Sequence, residues 1–426
     1  MPAATPDGAS STGRMLVDDR FTAVAAKFFA MFRRRRQGGG ALAVYLDGEP
    51  VLDIWAGWAD PERRWRSDTM ALTYSTGKGV AATVAHRLIE RGLLDLDAPV
   101  ATYWPEFAAN GKDAITVRDV LNHRAGLQRI RGLVDSQGAL LDDDALLDHD
   151  SLAAALAASA PDPLRLRASG YHGLTFGTLV AELAQRATGR SFAEVVHAEL
   201  AEPLGDNDFW FGVPRAERHR LATLSPRLTI GRVPVDRLIA PFGALRRVQS
   251  AHSAIYDGWA DMSVGQRPYD AVMPSWGGVF TARSLARMYG AIANDGVVGT
   301  RRLLRPETTR MIAQMPPNSR FDYVLGAPPH WALGYHRGIV GTRLTREALG
   351  HFGVGGSGAI AMPGVGVSVA FVTNHLGYSG MTLGDARLPT LSALARRAGA
   401  LGRATAALRS RGRPQRADPA QSCTDR

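Results

Sequence analysis

Two short apolar runs near the start of the chain flank a turn signal and predict a β-hairpin. The first run is Ala41–Leu46 and the second is Val51–Gly57, with Asp47-Gly48 between them. An Asp-Gly pair favours a tight hairpin turn, because both central positions of that turn need positive φ, which glycine adopts freely. The two runs are therefore predicted to be antiparallel neighbours.

The strand pattern returns near the end of the chain. Ala359–Met362 and Val367–Thr373 are strand-like and flank the turn Pro363–Gly366. Consecutive strands that are joined by tight turns favour the antiparallel arrangement. We therefore predict that these strands share one antiparallel sheet with the N-terminal hairpin.

Between these strands the apolar spacing is mainly helical. Val80, Val84 and Leu88 recur every four residues and predict a helix from Ser75 to Arg91, which Gly92 ends. Similar patterns predict helices at Phe21–Phe32, Val117–Leu121, Asp143–Ala158, Thr175–Ala187, Ala282–Ala293 (with Thr281 as its N-cap) and Thr390–Leu401.

The order of these elements predicts an α+β fold. Residues 20–95 and 300–402 are expected to form an α/β domain, in which an antiparallel sheet is flanked by helices. Residues 96–299 are expected to form a mainly helical inserted domain. Its irregular segment 225–280, which is rich in Pro, Gly and Trp, is a candidate for lining a pocket. The ends, 1–19 and 403–426, are expected to be a disordered N-terminus and an Arg-rich flexible tail.

Composition narrows the class of protein. The chain has 426 residues, of which 45% are hydrophobic and 21% charged, as in an ordinary globular protein. Cys423 is the only cysteine, so neither a disulfide framework nor a Cys/His metal site is expected, and no metal or cofactor is predicted. No apolar run is long enough to span a membrane, so stable membrane insertion is not expected. Met1–Arg14 does not resemble a signal peptide, which favours a cytoplasmic location.

The formal net charge of +10 raises the possibility of a nucleic-acid partner. Part of the charge lies in the tail, 403–426, and part in Arg33–Arg36, where cations at the end of a predicted helix favour its dipole. No recognised nucleic-acid module accompanies the charge. We therefore expect a small-molecule substrate and no nucleic-acid partner; the sequence does not predict an oligomeric state.

Lys78 is the most informative residue, because the chain uses arginine almost everywhere else. Its only lysines are Lys27, Lys78 and Lys112. Arginine stays protonated, whereas a buried lysine amine can lose its proton and act as a base. Lys78 lies three residues after Ser75, so the two side chains share one face of the predicted helix. If Lys78 is neutral, it can accept the proton that makes the Ser75 hydroxyl a nucleophile. The alternative is an N-cap serine followed by a solvated lysine.

Tyr171 is the candidate third member of this group. It lies in the glycine-flanked segment Ser169–Thr175, just before an apolar helix. A tyrosinate, or a hydrogen-bonded phenol near Lys78, could act as a general base. The alternative is a tyrosine that only packs. His123 and His172 are isolated in the sequence, and we interpret them as structural residues and not as ligands.

A glycine-dense turn supplies the remaining candidate. Gly350–Ser357 precedes a predicted strand, and its backbone N–H groups could bind a developing oxyanion. Its glycines also spell a dinucleotide fingerprint, Gly353-x-Gly355-x-x-Gly358. That fingerprint must open a helix, whereas a strand is predicted here, so the interpretation is rejected. The chain also lacks a complete Gly-x-Ser-x-Gly and a His-Glu-x-x-His, which excludes the α/β-hydrolase elbow and the common zinc peptidase motif.

Ser75-x-x-Lys78, the Tyr171 segment and His351-x-Gly353 resemble, in this order, the three motifs of serine β-lactamases and penicillin-binding proteins. The resemblance extends over about residues 20–400 and includes further segments, at 93–100, 103–105, 115–123, 126–127 and 303–308. Within the superfamily the chain most resembles class C-like members, particularly family VIII carboxylesterases and related actinobacterial lipases and esterases.

The resemblance implies a β-lactamase-like fold and a set of residue roles. Ser75 becomes acylated, and Lys78 and Tyr171 activate it and later a water. The backbone N–H groups of Ser75 and Val354 form the oxyanion hole. His351, with Gly353, stands at the substrate-binding third motif, where true β-lactamases commonly have a lysine.

Two departures favour a neutral ester over a β-lactam as the substrate. Tyr171-His172-Gly173 lacks the asparagine expected two places after the tyrosine, and His351 replaces the cation that meets a β-lactam carboxylate. We therefore predict a carboxylesterase or lipase-like serine hydrolase. The alternatives are a β-lactamase or D-amino-acid peptidase on the same scaffold, and a non-catalytic binding relative.

Overall fold

The computed structural model of the protein describes residues 13–33, 38–130, 132–162, 168–224, 266–314, 321–322, 324–325, 329–376 and 385–411. Its strands are β1 (Leu16–Val17), β2 (Gly39–Leu46), β3 (Glu49–Gly57), β4 (Ala71–Leu72), β5 (Phe209–Phe211), β6 (Gly278–Phe280), β7 (Val297–Val298), β8 (Arg301–Arg302), β9 (Trp331–Ala332), β10 (Tyr335–Val340), β11 (Arg343–Phe352), β12 (Gly358–Met362) and β13 (Val367–Thr373).

The helices are α1 (Thr22–Phe32), α2 (Thr76–Glu90), α3 (Val117–Leu121), α4 (Asp143–Leu147), α5 (His149–Ala158), α6 (Phe176–Thr188), α7 (Phe192–Val196), α8 (Glu202–Leu204), α9 (Arg267–Asp270), α10 (Ala282–Ala293), α11 (Pro306–Gln314) and α12 (Arg387–Arg411). Shorter 3-10 turns and one π-helical turn, His197–Ala201, connect some of them.

One large antiparallel sheet organises the molecule, in the order β1-β3-β2-β13-β12-β11-β10-β9. The predicted hairpin is confirmed: β2 and β3 pair across Asp47 and Gly48, whose φ angles are 53° and 82°. Strand β13 pairs with β2, so the first strand of the N-terminal hairpin and the last strand of the chain lie side by side within the sheet. The prediction that the two ends of the sequence build one sheet is therefore correct.

The central strands are apolar on both sides because helices cover both faces. Along β2, Leu42 and Val44 belong to a core that also contains side chains of α1 and α12, whereas Ala43 and Tyr45 belong to the core under α2 and α10. Successive side chains of a strand point to opposite faces, which explains this division. A fully buried leucine or phenylalanine stabilises such a core by about 1.5–3 kcal/mol.

The single helix predicted over Asp143–Ala158 is two helices. Asp148 has an extended backbone (φ −85°, ψ 122°), and its carboxylate accepts a hydrogen bond from the Ser151 N–H at 2.9 Å. An aspartate that caps a new helix competes with continuation of the previous one. The N-cap predicted at Thr281 is confirmed by its bond to the Ser284 N–H.

Helix α2 lies between the large sheet and the helical part of the chain. It packs on β10 and β11 on one side and on α6 on the other. A second, three-stranded sheet, β4-β6-β5, leads the chain into α2, and the Thr73 N–H donates to Gly278 O at 2.8 Å. Sequence analysis did not predict this small sheet, which places the start of α2.

The described parts of the two chain ends differ from the disorder that was predicted. Leu16 and Val17 pair with β3, and α12 continues to Arg411. Residues 1–12 and 412–426 lie outside the described residues, as do Arg34–Arg36 of the arginine cluster. The division into an α/β domain and a helical domain stays a proposal, and we now propose to assign α10 to the first because it packs on β2, β12 and β13.

No helix within the described ranges combines the length and the apolar character needed to cross a membrane.

Candidate active site

Ser75 stands at the entrance to α2, with its hydroxyl directed away from the helix backbone. It occupies the N-cap position, yet its side chain makes no capping hydrogen bond. The preceding residue, Tyr74, is buried and has φ of 51°, a conformation that non-glycine residues adopt at a cost of about 1–3 kcal/mol and that clusters at functional sites. The alternative in which Ser75 serves as a helix cap is therefore wrong.

Lys78 is completely buried beneath Ser75. Its Nζ lies 3.1 Å from Ser75 Oγ, 2.7 Å from Gly173 O and 2.6 Å from Ser275 O. Because burial penalises the charged form, the pKa of Lys78 lies well below the usual 10.5. The alternative of a solvated lysine is excluded.

The three oxygen atoms around Nζ differ in what they can do. A backbone carbonyl only accepts hydrogen bonds, so Gly173 and Ser275 take up two N–H groups of the amine. A neutral amine then has its lone pair left for the third direction, which is occupied by the hydroxyl of Ser75. This arrangement allows the amine to accept the hydroxyl proton.

Tyr171 reaches the same hydroxyl from the segment before α6. Its phenol donates to Ser75 Oγ at 2.8 Å, and its ring is stacked on Trp331 with centroids 5.3 Å apart and planes at 10°. Lys78 Nζ lies 5.0 Å from the ring centroid. Burial raises the pKa of Tyr171 above its usual 10. The side chain is therefore a protonated phenol, one of the two forms considered from the sequence.

His123 and His172 hold the Tyr171 segment and contact each other, with ring centroids 5.7 Å apart. The His172 N–H donates to His123 Nδ1 at 3.1 Å, and the Leu127 N–H donates to His172 Nε2 at 3.0 Å. His172 Nδ1 in turn lies 2.6 Å from Gly170 O, which fixes the neutral tautomer. These two residues, interpreted from the sequence as isolated, form one structural unit beneath Tyr171.

The third motif brings its backbone against the start of α2. A Cβ added at Gly353 would collide with the carbonyl oxygen of Thr73. Thr76 Oγ1 donates to Ser357 O at 3.1 Å. The turn therefore contacts the chain both before Ser75, at Thr73, and after it, at Thr76. Val354 is partly buried beside this contact, and within the described part of the chain no acceptor bonds its N–H. The oxyanion role of the Ser75 and Val354 N–H groups stays a prediction.

His351 and Tyr171 both stack on the indole ring of Trp331. It is only 2% exposed, and its imidazole stacks on Trp331 at 6.1 Å and meets His336 edge-on at 4.8 Å. Burial and the neighbouring His336 and Lys78 lower its pKa well below 6.5. His351 is therefore a neutral imidazole at neutral pH, and its contact with a substrate stays a prediction.

Several partners of the site were missed by sequence analysis. Gly173 and Ser275 act through backbone carbonyls, which leave no signal in the side-chain pattern. Ser275 does fall in segment 225–280, the candidate for lining a pocket, although residues 225–265 lie outside the described residues. Trp331 and Asp322 are far from every motif in the sequence, and only the fold brings them to Tyr171.

The described residues contain no group of metal ligands, and a cavity among them lies away from this site. Among the described residues, no three His, Cys, Asp or Glu side chains group as metal ligands. A cavity of about 540 Å³ lies between α5, α6 and Trp104, and none of the predicted site residues lines it.

Known proteins are similar to this chain over most of its length. The family model described as Beta-lactamase matches residues 21–392. The esterase/beta-lactamase LipL of Mycobacterium tuberculosis is 40% identical over 363 residues, which cover 84% of this chain and 82% of that protein. The esterase EstB of Burkholderia gladioli is 29% identical over 389 residues, covering 84% and 92%.

A solved structure of a family VIII carboxylesterase superposes with a TM-score of 0.78 at 31% identity. The match covers 90% of this chain and 99% of that one.

Proposed function

Because the chain belongs to the beta-lactamase family, we propose that it cleaves carboxylic esters through an acyl-enzyme on Ser75. One observation carries the proposal: Lys78 Nζ and the Tyr171 phenol meet at the Ser75 hydroxyl, 3.1 Å and 2.8 Å from its oxygen. A nucleophile within hydrogen-bond reach of two proton-transferring groups is the arrangement that covalent catalysis needs.

The chain is a serine hydrolase with the β-lactamase-like fold predicted from its motifs. Proteins named as esterases align with more than four fifths of it, and so does a family VIII carboxylesterase structure. These relatives support an ester as the substrate.

In the first step, Ser75 Oγ attacks the ester carbonyl carbon while its proton moves to the neutral amine of Lys78. The carbonyl oxygen becomes an oxyanion, which the N–H groups of Ser75 and Val354 stabilise. When the tetrahedral intermediate collapses, the C–O bond to the alcohol breaks. The leaving alkoxide takes the phenol proton of Tyr171, and Lys78 returns a proton to Tyr171.

In the second step, water attacks the acyl-enzyme. Its proton passes to Lys78, either directly or through Tyr171, while the oxygen bonds to the acyl carbon. The ester bond to Ser75 then breaks, and Oγ recovers a proton from Lys78. The products are the free acid and the resting enzyme, so the amine and the phenol end each cycle as they began it.

The electrostatics of the site favour a neutral substrate. His351 is held neutral, and no arginine of the described residues donates a hydrogen bond to Ser75, Tyr171 or His351. Two places after Tyr171, where an asparagine was expected, the chain has Gly173. This residue has no amide side chain to offer a substrate, and its backbone carbonyl accepts a hydrogen bond from Lys78. Among the described residues a substrate carboxylate would therefore find no fixed cation, whereas a neutral ester needs none.

The test compares p-nitrophenyl butyrate with nitrocefin and follows labelling by a fluorophosphonate. We expect rapid ester turnover and stoichiometric labelling, both abolished in Ser75→Ala. Ser67→Ala, a partly exposed serine in the turn before β4, is the matched control and should retain both.

One specific observation favours β-lactam hydrolysis as the second candidate: the relative that is 40% identical is named as both an esterase and a β-lactamase. Nitrocefin turnover without ester turnover would reverse the order of the two. Absence of fluorophosphonate labelling, with no turnover of either substrate, would contradict the hydrolase and favour a non-catalytic binding protein.

A further inference from the structure

Asp322 is a buried carboxylate that reaches the Tyr171 segment from a distant part of the chain. Its Oδ1 accepts a hydrogen bond from the Tyr171 N–H at 3.1 Å, and its Oδ2 accepts one from Ser169 Oγ at 2.9 Å. The side chain has no solvent-exposed surface. Both ends of the carboxylate are therefore bonded to the segment that presents the phenol.

The same carboxylate also fixes the ring on which Tyr171 stacks. The indole Nε1–H of Trp331 donates to Asp322 Oδ2 at 3.2 Å. The indole plane lies 10° from the plane of the Tyr171 ring, at a centroid distance of 5.3 Å. Asp322 thus constrains Tyr171 twice, through its backbone and through its stacking partner.

Asp322 is itself held by its own turn. The N–H groups of Val324 and Leu325 donate to Oδ1 at 2.9 Å and 3.0 Å. With the three donors from the Tyr171 segment and Trp331, five donors converge on one carboxylate. Charge-assisted hydrogen bonds of this kind are about twice as strong as neutral ones, and they compensate the cost of burying the charge.

We propose that Asp322 is the positioning residue of the Tyr171 phenol. This inference rests on the proposed function, since it assigns the origin of the 2.8 Å contact between the phenol and Ser75 Oγ. The Tyr171 segment has no regular secondary structure before α6, and a backbone bond, from the Gly170 N–H to His123 O, ties it to a neighbouring segment; side-chain bonds supply further support. A misplacement of about 1 Å can lower a catalytic rate about a hundredfold, which makes such a support consequential.

The charge of Asp322 has a second effect. Within the described ranges, the titratable groups that face Tyr171 are Lys78, His123 and Asp322. The negative charge of Asp322 disfavours the tyrosinate and contributes to the raised pKa of Tyr171, after the larger effect of burial. Removing the charge should therefore move the alkaline limb of the rate profile to lower pH, which a purely structural role would not do.

Asp322→Asn is the direct test. Its amide oxygen can accept from the Tyr171 N–H, but its NH2 then meets the indole N–H of Trp331, donor against donor. We expect kcat for p-nitrophenyl butyrate to fall about tenfold to a hundredfold with KM changed less than about threefold. We also expect the alkaline limb of kcat to move to lower pH.

The matched control is Glu199→Gln, at a buried carboxylate that pairs with Arg87 and Arg91 and lies outside the site. It should lower the melting temperature to a similar extent and leave kcat and the alkaline limb unchanged. A folded Asp322→Asn enzyme with the kcat and the alkaline limb of the wild type would overturn the proposal.

If Asp322→Asn does not fold, Trp331→Phe keeps an aromatic ring for stacking and removes the indole N–H that bonds to Asp322, together with part of the ring system. A decrease in kcat of several-fold at constant KM supports the proposal, and an unchanged kcat overturns it. Fluorophosphonate labelling of wild-type Ser75, measured in parallel, separates this outcome from a failure of the proposed function, in which the wild type itself would not be labelled.

Discussion

The two buried lysines of this protein have similar surroundings and different chemistry. Lys78 and Lys112 both lack solvent exposure. Lys112 Nζ donates to three backbone carbonyls, of Ala109 at 2.6 Å, of Ala157 at 2.9 Å and of Ser159. Burial lowers the pKa of Lys112 to about 8, so at pH 7 it remains an ammonium with three donors for three acceptors.

Lys78 differs from Lys112 in one partner. Two carbonyls occupy two directions around its Nζ, but the third is occupied by the hydroxyl of Ser75. A carbonyl can only accept, so it keeps the amine protonated, whereas a hydroxyl can also give up a proton. The comparison teaches that burial alone does not make a lysine a base; the identity of the third partner does.

The largest expected effect is the loss of activity in Lys78→Arg. An arginine stays protonated and cannot take up the Ser75 proton, so kcat/KM for p-nitrophenyl butyrate should fall about a thousandfold. The same substitution at the other site, Lys112→Arg, is the control and should change kcat/KM less than about threefold, because it removes no proton acceptor. Retained activity in Lys78→Arg would refute the role of Lys78 as the acceptor of the Ser75 proton.

A smaller effect, on stability, is expected at the other lysine. Lys112→Met leaves the carbonyls of Ala109, Ala157 and Ser159 without a donor, which should lower the free energy of unfolding by about 2–4 kcal/mol. Urea unfolding measures the loss, and kcat/KM at a temperature where the variant is folded should match the wild type. A fall in kcat/KM at unchanged stability would place Lys112 in the catalytic site and remove the contrast.

The smallest effect concerns the loss of stability in acid that two buried histidines, His172 and His336, should cause. Burial lowers the pKa of His172 and His336 from 6.5 to about 4. Between pH 6.5 and pH 4, these two histidines are largely protonated in the unfolded chain and largely neutral in the folded chain. The stability that the neutral rings contribute is therefore complete above pH 6.5 and is lost as the pH falls toward 4.

Each such histidine should lower the free energy of unfolding by about 1.4 kcal/mol per pH unit in this range. Urea unfolding at pH 7, 6 and 5 measures the slope. His172→Asn should make this slope shallower by the contribution of one histidine. His197→Asn, at an exposed histidine, is the control and should leave the slope unchanged. A slope that His172→Asn leaves unchanged contradicts this assignment.

Local features of the fold could be predicted from the sequence because their causes are local. Asp47-Gly48 specifies a turn whose two residues both need positive φ, and the spacing of Val80, Val84 and Leu88 specifies the buried face of α2. The break at Asp148 was missed, since the apolar spacing continues through it while its capping bond does not show in that spacing.

The site was predictable only in part. Ser75 and Lys78 lie on one helix, so their proximity follows from the spacing of three residues. The placement of Tyr171 depended on the family resemblance, because 96 positions separate it from Ser75. Asp322 and the carbonyl of Ser275 reach the site through tertiary contacts, and neither lies in a recognisable motif.

The central claim is that the amine of Lys78 is neutral when it meets the Ser75 hydroxyl. With only three lysines in the chain, selective 15N-lysine labelling yields three side-chain signals, which Lys78→Arg and Lys112→Arg assign. Titration by NMR should show Lys78 Nζ as a neutral amine at pH 7, with Lys112 still protonated. A Lys78 signal that remains that of an ammonium up to pH 9 would contradict the account.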